Sequence, residues 1–204
     1  MFSKSIEKVI YIILIFSISL ILINSNYLGN FYWQLSSLFV DHNNIIDWLE
    51  CDVIGVNLFT SEKLICNNRE VITFNYGNAV LLLPWNQSLD IFYRDYLPYI
   101  LIFIFVLLTV KIINPKKKFD KILLFLCILN PSTLLAFDRL NFDLFIYVFA
   151  IIICFNRVYF INWLLTLFVS FIKIYPAVLF VNIFFENSKR SYKIIILIVF
   201  TLFL

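Results

Sequence analysis

Apolar runs, each closed by a cluster of charge, recur along the chain and leave few ways to fold it. Residues 9–23 are apolar except for interspersed serines and an asparagine-flanked end, and Lys4 and Lys8 precede them. Further runs cover residues 97–113, 122–137, 144–156 and 163–185, and another begins at 194. A hydrocarbon core about 30 Å thick takes about 20 helical residues to cross. Such runs cannot all be hidden inside one water-soluble core of this size, so the expected fold class is an all-α polytopic membrane protein. The composition agrees: the 204 residues are 62% hydrophobic and 14% charged, against about 25% charged in soluble domains. Soluble, disordered and collagen-like chains are excluded, and a net charge of +3 gives no ground for nucleic acid as a partner.

The charges orient the spans. Residues 25–96 carry Asp41, Asp47, Glu50, Asp52, Glu62, Glu70, Asp90 and Asp95 against only Lys63, Arg69 and Arg94. Lys111, Lys116, Lys117, Lys118 and Lys121 cluster after the second run. Positive charge is retained on the cytoplasmic side. The N-terminus is therefore expected in the cytoplasm and residues 25–96 outside, in a single integral domain over 1–204. Predicted spans cover about 6–24, 97–113, 122–137 and 144–156. A pair of short helices, 162–173 and 176–185, is broken at Lys173, Tyr175 and Pro176. The last run, 194–204, is too short to cross, so the chain is expected to be the N-terminal part of a longer protein.

Chemistry-bearing residues are few. Gly-rich phosphate loops, Gly-x-Ser-x-Gly and His-Glu-x-x-His are absent, and the single His42 reads as a surface residue. Cys127 and Cys154 read as small packing residues within spans. Cys51 and Cys66 lie in the outer loop, an oxidising compartment in many bacteria, where a disulfide is expected; two Cys and one His make no four-ligand zinc set. Three polar groups stand out because charge in or near lipid is costly. Asp41 follows the first span, with Asp47, Glu50 and Asp52 within the next eleven residues; a carboxylate of this set suits a general base taking a proton from a hydroxyl. Asp138, Arg139, Asn141 and Asp143 follow the third run; on one helix Arg139 and Asp143 would pair at i, i+4, and Arg139 suits a phosphate. Lys173 sits within an apolar run, where a covered break or a wet cavity accommodates it. An acid and two cations on one face suit a lipid-linked phosphate and a sugar hydroxyl.

At these residues the chain resembles the C-type glycosyltransferases that use polyprenyl-phosphate sugars, most of all the bacterial glycosyltransferase 87 family and its uncharacterised membrane relatives. The shared order is one span, a long outer loop with an early Asp, then many spans with short loops. The loop pattern is met by Asp41, Cys51, Gly55, Cys66 and Asn75-Tyr76. The relatives' Glu-Arg-Gly-Asn-x-Asp turn is met by Asp138-Arg139-Leu140-Asn141-Phe142-Asp143, and their Lys-x-Tyr-Pro break by Lys173-Ile174-Tyr175-Pro176. Gly77 stands for Pro, Asp138 for Glu and Leu140 for Gly. The resemblance implies a transferase of the cell envelope, mannosyltransferase-like, multi-pass in the bacterial inner membrane. Asp41 would be the base, Arg139 and Lys173 would hold the phosphate, and Asp138, Asn141, Asp143 and Tyr76 would bind substrate. The implied partners are a polyprenyl-phosphate sugar donor, a glycan or lipid-linked acceptor and membrane lipid, with no cofactor and no tightly bound metal. Two other classes compete: a transporter or flippase of a lipid-linked anion, whose marks of repeat symmetry and charges in several spans are not visible, and a non-catalytic membrane scaffold.

Overall fold

A computed structural model describes residues 2–25, 38–58, 64–66, 69–71, 78–140, 142–156 and 158–172. Helices dominate: α1 (Phe2–Asn24), α2 (Val40–Val53), α3 (Gln87–Ile91), α4 (Leu97–Ile113), α5 (Lys118–Ile128), α6 (Pro131–Arg139), α7 (Phe142–Phe155) and α8 (Tyr159–Ile172). The all-α expectation is modified by an antiparallel ribbon of β1 (Leu64–Cys66) and β2 (Arg69–Val71), paired Leu64 to Val71 and Cys66 to Arg69. The described residues fall into two compact units; the chain passes between them just before Trp85 and again within α7, and the turn preceding Trp85 belongs to the second unit.

Among the described residues, two helical segments are long and apolar enough to cross a membrane, Ile6–Asn24 and Gln87–Ile113; a third results if α5 and α6 count as one. On α1, Ile6, Val9, Ile10, Ile13, Leu14 and Ile21 are all exposed. A stripe of that kind suits lipid and would be a liability in water. The second segment is longer than the sequence suggested, since residues 87–96 read as loop. It opens at Asn86, whose side chain accepts from the Leu89 N–H at 2.9 Å, and passes through a π turn, Phe92–Tyr96, before α4. Asp90 and Arg94 made this stretch look like loop. Placed at i, i+4, they neutralise one another on the helix, with Arg94 Nε 2.9 Å from Asp90 Oδ1.

The predicted span over 122–137 is not one continuous helix: it forms two helices bent by 50°. The cause is local: Asn130 caps α6, accepting the Thr133 N–H at 3.0 Å, and Pro131 fills the first helical position, where its missing N–H costs nothing. The predicted 144–156 span is a 14-residue helix, about 21 Å long at 1.5 Å per residue and thus short of a full crossing. The first half of the predicted broken pair is α8; its second half, the break itself and the run from 194 lie outside the described residues. Cys127 and Cys154 are exposed on their helices, so neither packs a core.

In the first unit α1 and α4 run antiparallel. Lys8 donates to Asn114 at the end of α4, while further along α1 Phe16 meets Phe103 edge-on at 5.4 Å. The α5–α6 pair starts at the same end as α1, where Lys121 pairs with Glu7 and its carbonyl accepts from the Tyr11 hydroxyl. It then climbs to Phe137, edge-on to Phe105 at 5.3 Å. Ile15, Ile23, Phe39, Ile102, Val106, Leu124, Ile128, Leu134 and Phe137 form the shared core. The bent pair therefore travels the length of the bundle. One end gathers Lys8, Lys111, Lys116, Lys117, Lys118 and Lys121; the other holds the start of α4, the end of α6 and α2.

The second unit is smaller. The 3-10 turn Asn78–Leu82 packs on α8, with Val80, Thr166, Val169 and Ile172 buried. The Thr166 hydroxyl returns to the Asn162 carbonyl at 2.8 Å, a local bond that lets a polar side chain sit inside an apolar helix.

Candidate functional site

The site is built where α2 meets the end of α6. Helix α6 stops at Leu140, which adopts the left-handed conformation, φ 45°, and is buried. A bulky residue seldom occupies that region; glycine usually does. Across from Leu140, Phe39 is also left-handed, φ 59°, and buried. Its N–H donates to the Asp138 carbonyl at 2.6 Å, satisfying one of the last carbonyls of α6. Two strained residues and one backbone hydrogen bond thus fix the start of α2 against the end of α6, and strain of this sort gathers at functional sites.

This junction brings together Asp41 and Arg139, 98 residues apart in the chain. Arg139 Nη2 donates to Asp41 Oδ1 at 2.8 Å and Nε to Oδ2 at 3.1 Å. The arrangement is a two-point fork, the strong geometry for a guanidinium on a carboxylate. The Asp41 side chain is 19% exposed and that of Arg139 47%. Asp138, next to Arg139, is buried, and its Oδ2 has no hydrogen-bond partner. Asp143 opens α7. The expected single-helix pairing of Arg139 with Asp143 is corrected in one respect: the left-handed Leu140 ends α6 between them, so they lie on separate helices. Tyr76, Asn141 and Lys173 lie outside the described residues. Among the described residues, no group of three or more His, Cys, Asp or Glu is placed to hold a metal ion.

A second polar cluster steadies α2. Arg94 bonds Asp47 Oδ1 on α2 through Nη2 at 2.7 Å and Asp90 through Nε at 2.9 Å, and Trp85 Nε1 reaches Asp90 at 3.4 Å. His42, expected at the surface, is buried. Its Nε2 lies 2.8 Å from the Tyr93 carbonyl. A carbonyl only accepts, so Nε2 carries the hydrogen. Arg94 and His42 were not among the expected site residues. The i, i+4 spacing of Asp90 and Arg94 was a readable signal for the former; nothing local signalled the latter.

Burial pushes the His42 imidazole below its ordinary 6.5; the hydrogen bond to Tyr93 opposes this more weakly, and the nearby Arg94 charge adds a smaller push downward. A depressed pKa means the unfolded chain binds the proton more readily. The stability His42 contributes is full above pH 6.5 and is lost as pH falls through the window below it. The thermal midpoint should therefore drop between pH 7 and 5, and His42→Gln should flatten that drop; an equally steep drop in the variant rejects the assignment. Arg94→Leu is expected to cost about 1 kcal/mol, because its partners remain a quarter exposed and solvent screens the pairs. Thermal unfolding of Arg94→Leu beside Asp47→Asn measures it, and a value near zero for both removes the cluster as a brace.

No protein-family model, curated protein or solved structure matches the chain.

Proposed function

We propose that the protein is a membrane glycosyltransferase that moves a sugar from a polyprenyl-phosphate donor to an acceptor hydroxyl at the extracytoplasmic face, with inversion. The observation that carries this reading is the meeting of Asp41 and Arg139 at the acidic end of the helical bundle. A carboxylate and a guanidinium on one face are the two groups such a reaction needs. By the positive-inside rule, the lysine-rich end faces the cytoplasm and the Asp41 end faces out. The C-type glycosyltransferase fold, the bacterial inner membrane and the use of lipid-linked sugar belong to the same proposal and rest on the ordered motifs.

In the reaction, the acceptor oxygen attacks the anomeric carbon and a new C–O bond forms. The bond from that carbon to the phosphate oxygen breaks, and its electron pair leaves with polyprenyl phosphate. The acceptor proton goes to Asp41. The departing phosphate gains negative charge in the transition state, and a cation already in place lowers that barrier. Arg139 fills this role, with Lys173 as its proposed partner. Asp138, Asp143, Asn141 and Tyr76 are proposed to bind sugar hydroxyls.

The test is direct. The chain, reconstituted in vesicles, receives a polyprenyl-phosphate sugar labelled in the sugar, together with a glycan acceptor. The expected result is release of polyprenyl phosphate with a product of inverted anomeric configuration, and no product from a nucleotide sugar. Movement of intact donor across the bilayer without glycosidic product would favour a flippase instead.

A further inference from the structure

While they hold each other, Asp41 and Arg139 each spend on the other the groups their proposed roles call for. The Nε and Nη2 hydrogens that grip Asp41 are the in-plane pair that would grip two phosphate oxygens. The two carboxylate oxygens so held are those that must receive the acceptor's proton. Resting on the function proposed above, we propose that the donor's phosphate displaces Asp41 from Arg139, so that binding of the lipid phosphate itself releases the base.

Three features of the site favour exchange. The guanidinium is the accessible partner, with Arg139 47% exposed against 19% for Asp41, so an incoming anion meets the cation first. Solvent screens a pair this open, and the donor's phosphodiester offers two non-bridging oxygens that match the same two hydrogens. The backbone on either side is held by the bond from the Phe39 N–H to the Asp138 carbonyl. Exchange then needs only the side chains to turn, and the freed carboxylate remains beside the reacting centre. The device would keep the base occupied until donor is present. Water would not be activated in its absence.

The experiment uses the full chain in phosphatidylcholine vesicles and polyprenyl monophosphate as the probe. Carboxylates are labelled with a carbodiimide and an amine. Exchange predicts that the probe raises labelling of Asp41 several-fold, because its oxygens are released. A phosphate bound beside an intact pair would shield Asp41, so lowered or unchanged labelling overturns the proposal. Binding gives a second reading. Asp41→Asn and Asp41→Ser remove the competitor, and each should bind the probe about five-fold more tightly than the natural chain, while Arg139→Gln should lose binding. Equal or weaker binding by both Asp41 variants overturns the exchange. Neither readout requires sugar transfer. Raised labelling without turnover of any donor keeps the exchange and rejects the transferase; turnover with lowered labelling does the reverse.

Discussion

Replacing Asp41 by Asn is expected to cut sugar transfer by about 10²–10⁴-fold, the range that a positioned general base supplies. Asn has nearly the same shape, and the bond from the Phe39 N–H to the Asp138 carbonyl still joins α2 to α6, so the junction survives the change. What it loses is the capacity to accept the acceptor's proton. Two neighbouring carboxylates serve as controls, because the sequence alone also allowed them as bases. Asp47 is held by Arg94 at 2.7 Å on the braced face of α2, and Asp52 is exposed near the helix end. Asp47→Asn and Asp52→Asn are expected to retain most activity. Transfer within about three-fold of the natural rate in Asp41→Asn, measured with saturating donor, would remove Asp41 as the base. A collapse in Asp52→Asn would move the role there and leave the mechanism intact.

How much of this could be read beforehand depends on the range over which each signal acts. The first span was legible because a long apolar run has one stable answer in lipid. The 50° bend was signalled by Asn130-Pro131, a helix cap followed by a helix-starting proline, yet an apolar run on both sides outweighed it. The helix before Leu97 was missed for the opposite reason: charge at Asp90 and Arg94 suggested loop, although their spacing cancels it. His42 was misread because its partner is a backbone carbonyl 51 residues away, a tertiary contact that leaves no trace near residue 42. Asp41 and Arg139 were each singled out from their place relative to the spans. Their contact is a consequence of two left-handed residues, Phe39 and Leu140, neither of which announces that conformation in its side chain.

Breaking the Cys51–Cys66 disulfide is expected to lower stability by about 3 kcal/mol, the chain-entropy value for a loop of 15 residues. The bridge joins the last turn of α2 to β1 across a Cα separation of 5.7 Å, and both cysteines are buried. Helix α2 is then held in three places: by Phe39 and Arg139 at its start, by His42 and Asp47 along its length, and by the disulfide near its end. Asp41 sits about 15 Å along the axis from Cys51 at 1.5 Å per residue, beyond the other two attachments. Stability and catalysis should therefore separate. Cys51→Ala, Cys66→Ala and the double variant should show the same loss, because one cross-link is removed in every case. Below the unfolding transition each should keep a transfer rate near that of the natural chain. Thermal or denaturant unfolding with and without reductant measures the first expectation, since reductant should bring the natural chain to the variants' value. A loss below about 1 kcal/mol would mean that the ribbon does not constrain α2. A parallel fall in transfer at low temperature would mean that the bridge positions Asp41, and that the attachments at Arg94 and His42 do not hold the helix alone.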